Sequence, residues 1–305
     1  MNWLPIAVLG HLLNAVSFIV DKSLLSTTFK RSATYAALMG MVSILLVVVV
    51  PFVRSWPPVS LYPVVIGFGG FFVLALWAFF EALSRSEPSR VVPIVGSFIP
   101  LFTLIGSIAF FHDRLGRFEF LGFVLLLLAT WTLTQEGERG SGMDRRAMGM
   151  SFLAAFLFAS ASLCGKYAFD RSDFLGVLVL SRMFTAVIGL LIGVFSSAET
   201  RKELLMLRQT NKQSTLPWYA TILAIGGQLM GGIGFVLVHL SMAHGNAAIV
   251  NALQAVQYAA LVLVAWFGGM RLRTMLQETI TPKIIFAKSI AIVMVAIGLG
   301  LISHR

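Results

Sequence analysis

The chain has 305 residues, 58% of them hydrophobic and 12% charged, with a formal net charge of +10. Soluble globular proteins are about one quarter charged, and the mean hydropathy of +0.88 lies well outside that class. The charges sit in short clusters between long apolar runs, the pattern of a polytopic membrane protein. The basic excess is not gathered on one segment with interleaved aromatics, so a nucleic-acid partner is excluded. Anionic lipid headgroups and topology selection account for it instead. A single cysteine, Cys164, rules out an intramolecular disulfide and any CxxC site. It lies in an apolar run, where packing is its expected role.

In chain order, the first apolar run (Trp3 to Val20) lacks a basic leader and a small-residue cleavage pattern, so it is expected to remain as a membrane helix. Counting about 20 residues per crossing predicts ten helices. They cover 2–21, 33–53, 61–83, 90–111, 117–135, 147–168, 174–195, 217–240, 246–268 and 283–303. Trp56-Pro57-Pro58, Ser86-Glu87-Pro88, His112-Asp113-Arg114 and the stretch from Gly137 to Arg146 punctuate them. The runs are continuous rather than alternating, which excludes a closed β-barrel.

The first span places His11 and Asn14 on one face, i and i+3, turned towards the protein interior. A lone histidine is a proton candidate, and equally a packing residue. Lys22, beside Asp21, ends this span as Lys166 ends the sixth. Cations at helix C-termini suit the macrodipole and snorkel, but their matched positions also make them candidate gate residues. Glu81 closes the third span four residues before Arg85, an ion-pair spacing. The fourth span carries Pro93, Ser97 and Pro100, whose freed carbonyls suit a wet cavity or a gating kink. Arg182 lies about two turns into the seventh span, too deep for an end anchor. At that depth an arginine costs about 2.5–3.5 kcal/mol on insertion scales, so it needs an internal partner or a cavity holding a substrate carboxylate or phosphate. Gly227 and Gly231 of the eighth span permit close helix approach.

The ninth span is the most informative. Asn251, Gln254 and Tyr258 share one stripe of a continuous helix, with Gln257 at its margin. An unpartnered amide in hydrocarbon costs about 2–7 kcal/mol, so the stripe faces protein or water. A substrate-facing wall and interhelical hydrogen bonding both satisfy that demand.

The segment 136–146 divides the chain into five spans and five. "ALSRSEPSRVVPIVGSFIPL" (82–101) matches "HLSMAHGNAAIVNALQAVQY" (239–258) at a shift of 157, and the same shift sets "HDRL" on "GMRL". "FIVDKSLL" (18–25) matches "SLCGKYAF" (162–169), placing Lys22 opposite Lys166. This is an internal repeat. Because five is odd, the halves enter the membrane from opposite sides and are inverted, the usual construction of secondary transporters. The expected fold is therefore an all-α polytopic membrane protein with ten transmembrane helices in two inverted five-helix repeats, 1–135 and 147–305.

The five-plus-five plan, the Pro100 of span four and the loop "HDRLGRFEFLG" resemble the EamA-like transporters of the drug/metabolite transporter superfamily. In the family's "gErl…q..G" loop, Asp113 replaces the glutamate, with Arg114, Leu115 and Gly122 in comparable places. The second half has Met270-Arg271-Leu272 instead, and 274–282 look like an insertion. The resemblance implies transport, an arginine at the position of Arg182, and both termini in the cytoplasm. Basic residues instead concentrate in loops after odd-numbered spans, which the positive-inside rule places in the cytoplasm with both termini outside. The two expectations differ.

No Walker loop, Ser/His/Asp constellation or paired mid-membrane carboxylates are present, and His239 and His244 have no acid or cysteine spaced for a metal. Catalysis, ATP drive, metals and cofactors are not expected. The expected function is a secondary transporter in a bacterial inner membrane, exporting small polar metabolites or drugs by alternating access, as monomer or homodimer. Its partners are a small-molecule substrate and the lipid bilayer. The alternatives are a flippase for a lipid-linked sugar and a membrane interaction protein without transport.

Overall fold

The computed structural model describes residues 2–25, 32–86, 88–135, 143–202, 204, 218–270 and 281–304. These residues are helical or in short connections, with no strand among them. The helices are α1 (Trp3–Leu25), α2 (Ser32–Val42), α3 (Tyr62–Leu83), α4 (Pro88–Gly106), α5 (Arg117–Thr134), α6 (Arg145–Phe169) and α7 (Phe174–Phe195). They continue as α8 (Trp218–His244), α9 (Ala247–Ala252), α10 (Gln254–Phe267) and α11 (Pro282–Ser303). Eight helical segments are long and apolar enough to cross a membrane, while Trp3–Ile19 and Leu229–His244 are shorter apolar stretches among the described residues. The interrepeat segment 136–142 and most of the expected insertion at 274–282 lie outside the described residues.

Local chemistry explains the helix ends. Asp173 accepts from the Gly176 N–H at 3.0 Å, Thr281 caps α11 through Ile284, and Glu119 reaches back to the Gly116 N–H. These side chains satisfy donors that a helix start leaves open. Pro63 and Pro282 occupy first-turn positions, where a missing N–H costs nothing.

Two spans depart from simple α-helix. After α2 the chain tightens into a 3-10 helix over Ser43–Phe52, with Pro51 inside it and no buried residue. Its run Val47-Val48-Val49-Val50 is β-branched and helix-averse, which favours the departure. After α4 a single π turn spans Ser107–Phe111 and ends at His112 in the left-handed region, φ 56°.

The expected ninth span is present as the apolar segment Ala247–Phe267, with one irregularity within it. The span is broken at Leu253 into α9 and α10, with the Leu253 N–H bonding back to Ile249 and the Val256 N–H to Leu253. Neither proline nor glycine marks the break.

Contacts divide the chain into two compact units. One unit holds α1, α4, α5 and α8 to α11; the other holds α2, α3, α6 and α7. In the first, α1 packs on α8, α5 on α11 and α4 on α9. Trp3 meets Gly245, Gly10 meets Val238 and Ser17 meets Gly231, so α1 and α8 run antiparallel. Gly122 packs on Ile302 and Gly298 on Leu126, setting α5 against α11 in the same antiparallel sense. In the second unit α3 packs on α6 and α2 on α7. Phe68 meets Gly165 and Phe72 meets Phe158, while Gly40 and Gly189 approach until a methyl on either would stand 2.8 Å from the other's Cα. Ala37 lies by Gly193, so α2 and α7 are antiparallel as well.

Candidate functional site

The polar positions of the ninth span gather on both sides of the Leu253 break. Before it, Asn251 is buried and its Nδ2 donates to Thr103 Oγ1 of α4 at 2.9 Å. Thr103 in turn donates to the Ile99 carbonyl at 2.8 Å, so its hydroxyl is oriented to accept. After the break, Gln254 Nε2 donates to the Tyr258 hydroxyl at 2.9 Å, and both residues are half-buried. Tyr258 lies against Gly96 of α4, where a methyl would come within 3.0 Å of its oxygen. As the number rises from 96 to 103 on α4, its partner falls from 258 to 251. The fourth and ninth spans are therefore antiparallel.

This pairing shows what the prolines of α4 do. Pro100 cannot donate to the Gly96 carbonyl one turn back, nor Pro93 to that of Ser89. The Gly96 backbone, short of its helical bond, lies beside the Tyr258 phenol. Ser97 Oγ is buried with no hydrogen-bond partner among the described residues.

A third helix joins from the other side. His11 of α1 is buried, and its Nε2 donates to the Val250 carbonyl at 2.9 Å. Val250 is in the last turn of α9, between Ile249 and Asn251, whose carbonyls accept from the Leu253 N–H. A carbonyl only accepts, so the proton is assigned to Nε2. Nδ1 is buried, with the Gln257 side chain beside the ring. Gln257 is buried on this face, away from the Asn251–Tyr258 stripe whose margin the sequence suggested. Asn14 does not join it: its carbonyl oxygen lies on Gly234 of α8, a close-packing contact.

One unit thus brings together His11, Ser97, Thr103, Asn251, Gln254, Gln257 and Tyr258. Thr103 and Gly96 were not singled out from sequence; a threonine and a glycine in an apolar run carry no distinguishing signal until their partners are known.

The remaining candidates lie elsewhere. Arg182 belongs to the other unit, 4% exposed, with its guanidinium 4.6 Å from the centre of Phe72 and 5.1 Å from that of Phe68. Such stacking suits a planar, weakly hydrated cation. Its Nε donates to Ser181 Oγ at 3.4 Å. Lys166 pairs with Asp170 at 2.8 Å on its own helix. The Lys22 side chain falls outside the described residues. Glu81 pairs with Arg85 at 2.8 Å as its spacing suggested, and also accepts from Ser32 and lies 3.7 Å from Arg146. His239 and His244 each bond a carbonyl one turn back through Nδ1.

What the site adds up to is a set of neutral donors and acceptors around a helix break inside an apolar bundle, with no nucleophile–base pair among them. The model of the EamA-like transporter family matches residues 1–135. Over those residues the chain is similar to that family. Together with the eight helical segments long and apolar enough to cross a membrane, this match points to an integral membrane protein. Among curated proteins, none matches the chain in sequence. A solved structure titled "Crystal structure of protein" superposes with a TM-score of 0.66 at 18% identity, over 98% of this chain and 95% of that one. At that identity the likeness speaks for the fold alone.

Proposed function

We propose that this EamA-like protein is a secondary transporter that exports small polar metabolites or drugs by alternating access, with the α4, α9–α10 and α1 polar groups contacting the substrate. The observation that carries the reading is the break at Leu253, flanked by Asn251 and Gln254, within an otherwise apolar span. Discontinuous membrane helices expose backbone and amide groups that lipid would not tolerate, and transporters place their substrates at such breaks. Ser97 Oγ, buried and without a hydrogen-bond partner among the described residues, supports it, because a water or a substrate group would satisfy it.

The architecture in this reading is ten spans in two inverted repeats, 1–135 and 147–305. Three helix pairings support it: α2 with α7, the fourth span with the ninth, and α5 with α11. Each joins two helices at the same position in the two halves, and each is antiparallel, as inversion requires. The packing of α1 on α8 and of α3 on α6 is one relation with the halves exchanged. Arg182, within the other unit, is by itself a candidate anion-binding position, and the membrane in this reading is a bacterial inner membrane.

A thermal-shift screen of the detergent-purified protein against amino acids, nucleotides, sugars and cations tests it. A ligand that binds only the folded state raises the melting temperature, by about 2.7 kcal/mol of added stability at a hundred times its Kd. At least one polar compound should do so; a screen in which none shifts the transition would count against the proposal. Loss of that shift in Arg182→Ala alone would assign an anionic group to the ligand.

A further inference from the structure

The sequence motif carrying Asp113 is not used by the substrate contacts, yet the structure gives it a specific partner. Asp113 Oδ2 accepts from Asn246 Nδ2 at 3.0 Å, a bond bridging 133 residues of chain. Asn246 is the N-cap of α9: its Oδ1 accepts from the Ala248 N–H at 2.9 Å and the Ile249 N–H at 3.2 Å. One amide thus caps the short helix with its oxygen and binds the carboxylate with its nitrogen. Asp113 is itself positioned by backbone: His112 turns the chain in the left-handed region, and the Asp113 N–H reaches the Ser107 carbonyl at 3.3 Å.

The far end of α9 is tied by different bonds, His11 to Val250 and Asn251 to Thr103, beside the break at Leu253. All six residues of α9 are buried. A six-residue helix that is separated from α10 by a break, and tethered at each end through side chains, can pivot as a piece. Carrying the repeat shift of 157 onto this pair gives Met270 for Asp113 and Ser89 for Asn246, so the other half has no carboxylate to match.

We infer that α9 is a hinged gate pivoting at Leu253, and that Asp113 is its latch, acting through Asn246 on one side of the membrane only. The role as a gate rests on the transporter reading above; the hinged, latched motion does not. A hydrogen bond to a charged group is among the stronger kinds, and breaking it should raise the open population about ten-fold or more.

Hydrogen exchange of the full-length protein in lipid nanodiscs, without ligand, tests this motion directly. Asn246→Asp keeps an N-cap oxygen but sets a carboxylate against Asp113. Exchange of the α9 amides, Ala248 to Leu253, should rise about ten-fold or more, with α5 and α11 unchanged. Adding Asp113→Asn to the same chain restores an amide–carboxylate pair in reversed order, and exchange should return to within about two-fold of the original. Unchanged α9 exchange in Asn246→Asp, failure of the reversed pair to restore it, or equal acceleration of α5 and α11 would each overturn the latch. Because no substrate enters the measurement, its failure is separate from failure of the ligand screen.

Discussion

Asn251 and Thr103 meet through a 2.9 Å bond between the broken ninth span and the proline-rich fourth. The bond sets the register of these two helices, because a helix register shifted by one residue would carry the amide off the hydroxyl and into apolar side chains.

Thr103→Val retains the shape and removes the acceptor. Leaving a buried amide donor unmet costs about 1–3 kcal/mol, so the purified variant should unfold at a clearly lower temperature than the parent. Thr103→Ser, which restores the hydroxyl, should recover most of the loss. Equal melting temperatures for the valine and serine variants would show that the hydroxyl is not what matters.

His11→Phe is a comparable test at the other face. It fills the ring volume but cannot donate to the Val250 carbonyl. The expected loss is again about 1–3 kcal/mol, read as a lowered melting temperature. Faster exchange in α9, with α5 unaffected, should accompany it. A variant as stable as the parent would mean that another donor replaces the ring.

Two glycine substitutions should behave oppositely. A methyl on Gly69 would be driven onto the Ser181 carbonyl and within 2.7 Å of Thr185 Oγ1, where α3 and α7 approach backbone to backbone. Overpacking of this kind costs about 1–3 kcal/mol or more, so Gly69→Ala should lower the yield of monodisperse protein. A methyl on Gly232 would meet nothing within 4 Å, and Gly232→Ala should match the parent or gain from alanine's better helix propensity. Fluorescence-detected size exclusion separates the two outcomes; a harmless Gly69→Ala would refute the close approach.

Glu81→Gln should matter little. Glu81 is 15% exposed, but its partners Arg85 and Arg146 are 36% and 61% exposed, so solvent screens both pairs. Exposed pairs contribute about 0–1 kcal/mol, and the variant's melting temperature should fall by only a degree or two while losing any salt dependence this pair confers. A large loss would point to the Ser32 contact as the anchor instead.

How much of this was legible in the sequence depends on the range of the signal. Apolar run length placed eight of the ten expected spans, because the hydrocarbon thickness leaves little choice, while Trp3–Ile19 and Leu229–His244 are shorter apolar stretches among the described residues. The Glu81–Arg85 pair was legible too, since i,i+4 spacing is local. Asn246 before Ala-Ala-Ile is a cap signature, yet it lay at the edge of a span read as unbroken. The irregularity at Leu253 carries no local signal, and the His11 bond beside it comes from 239 residues away. Asn251 and Tyr258 both meet α4, and Gln254 bonds Tyr258, so the polar stripe was legible as one face while its partners were not. Lys166 kept a reading as a gate only through repeat symmetry, whereas the structure joins it to Asp170 one turn along.

The central claim is that the Gln254–Tyr258 face receives the transported molecule. It is tested most directly by flux of the best-stabilising compound from the ligand screen into proteoliposomes holding either the parent or Gln254→Leu. Uptake should fall to the level of protein-free vesicles in the variant, while its expression and monodispersity match the parent. Parental flux through Gln254→Leu would contradict the account and remove this face from the transport path.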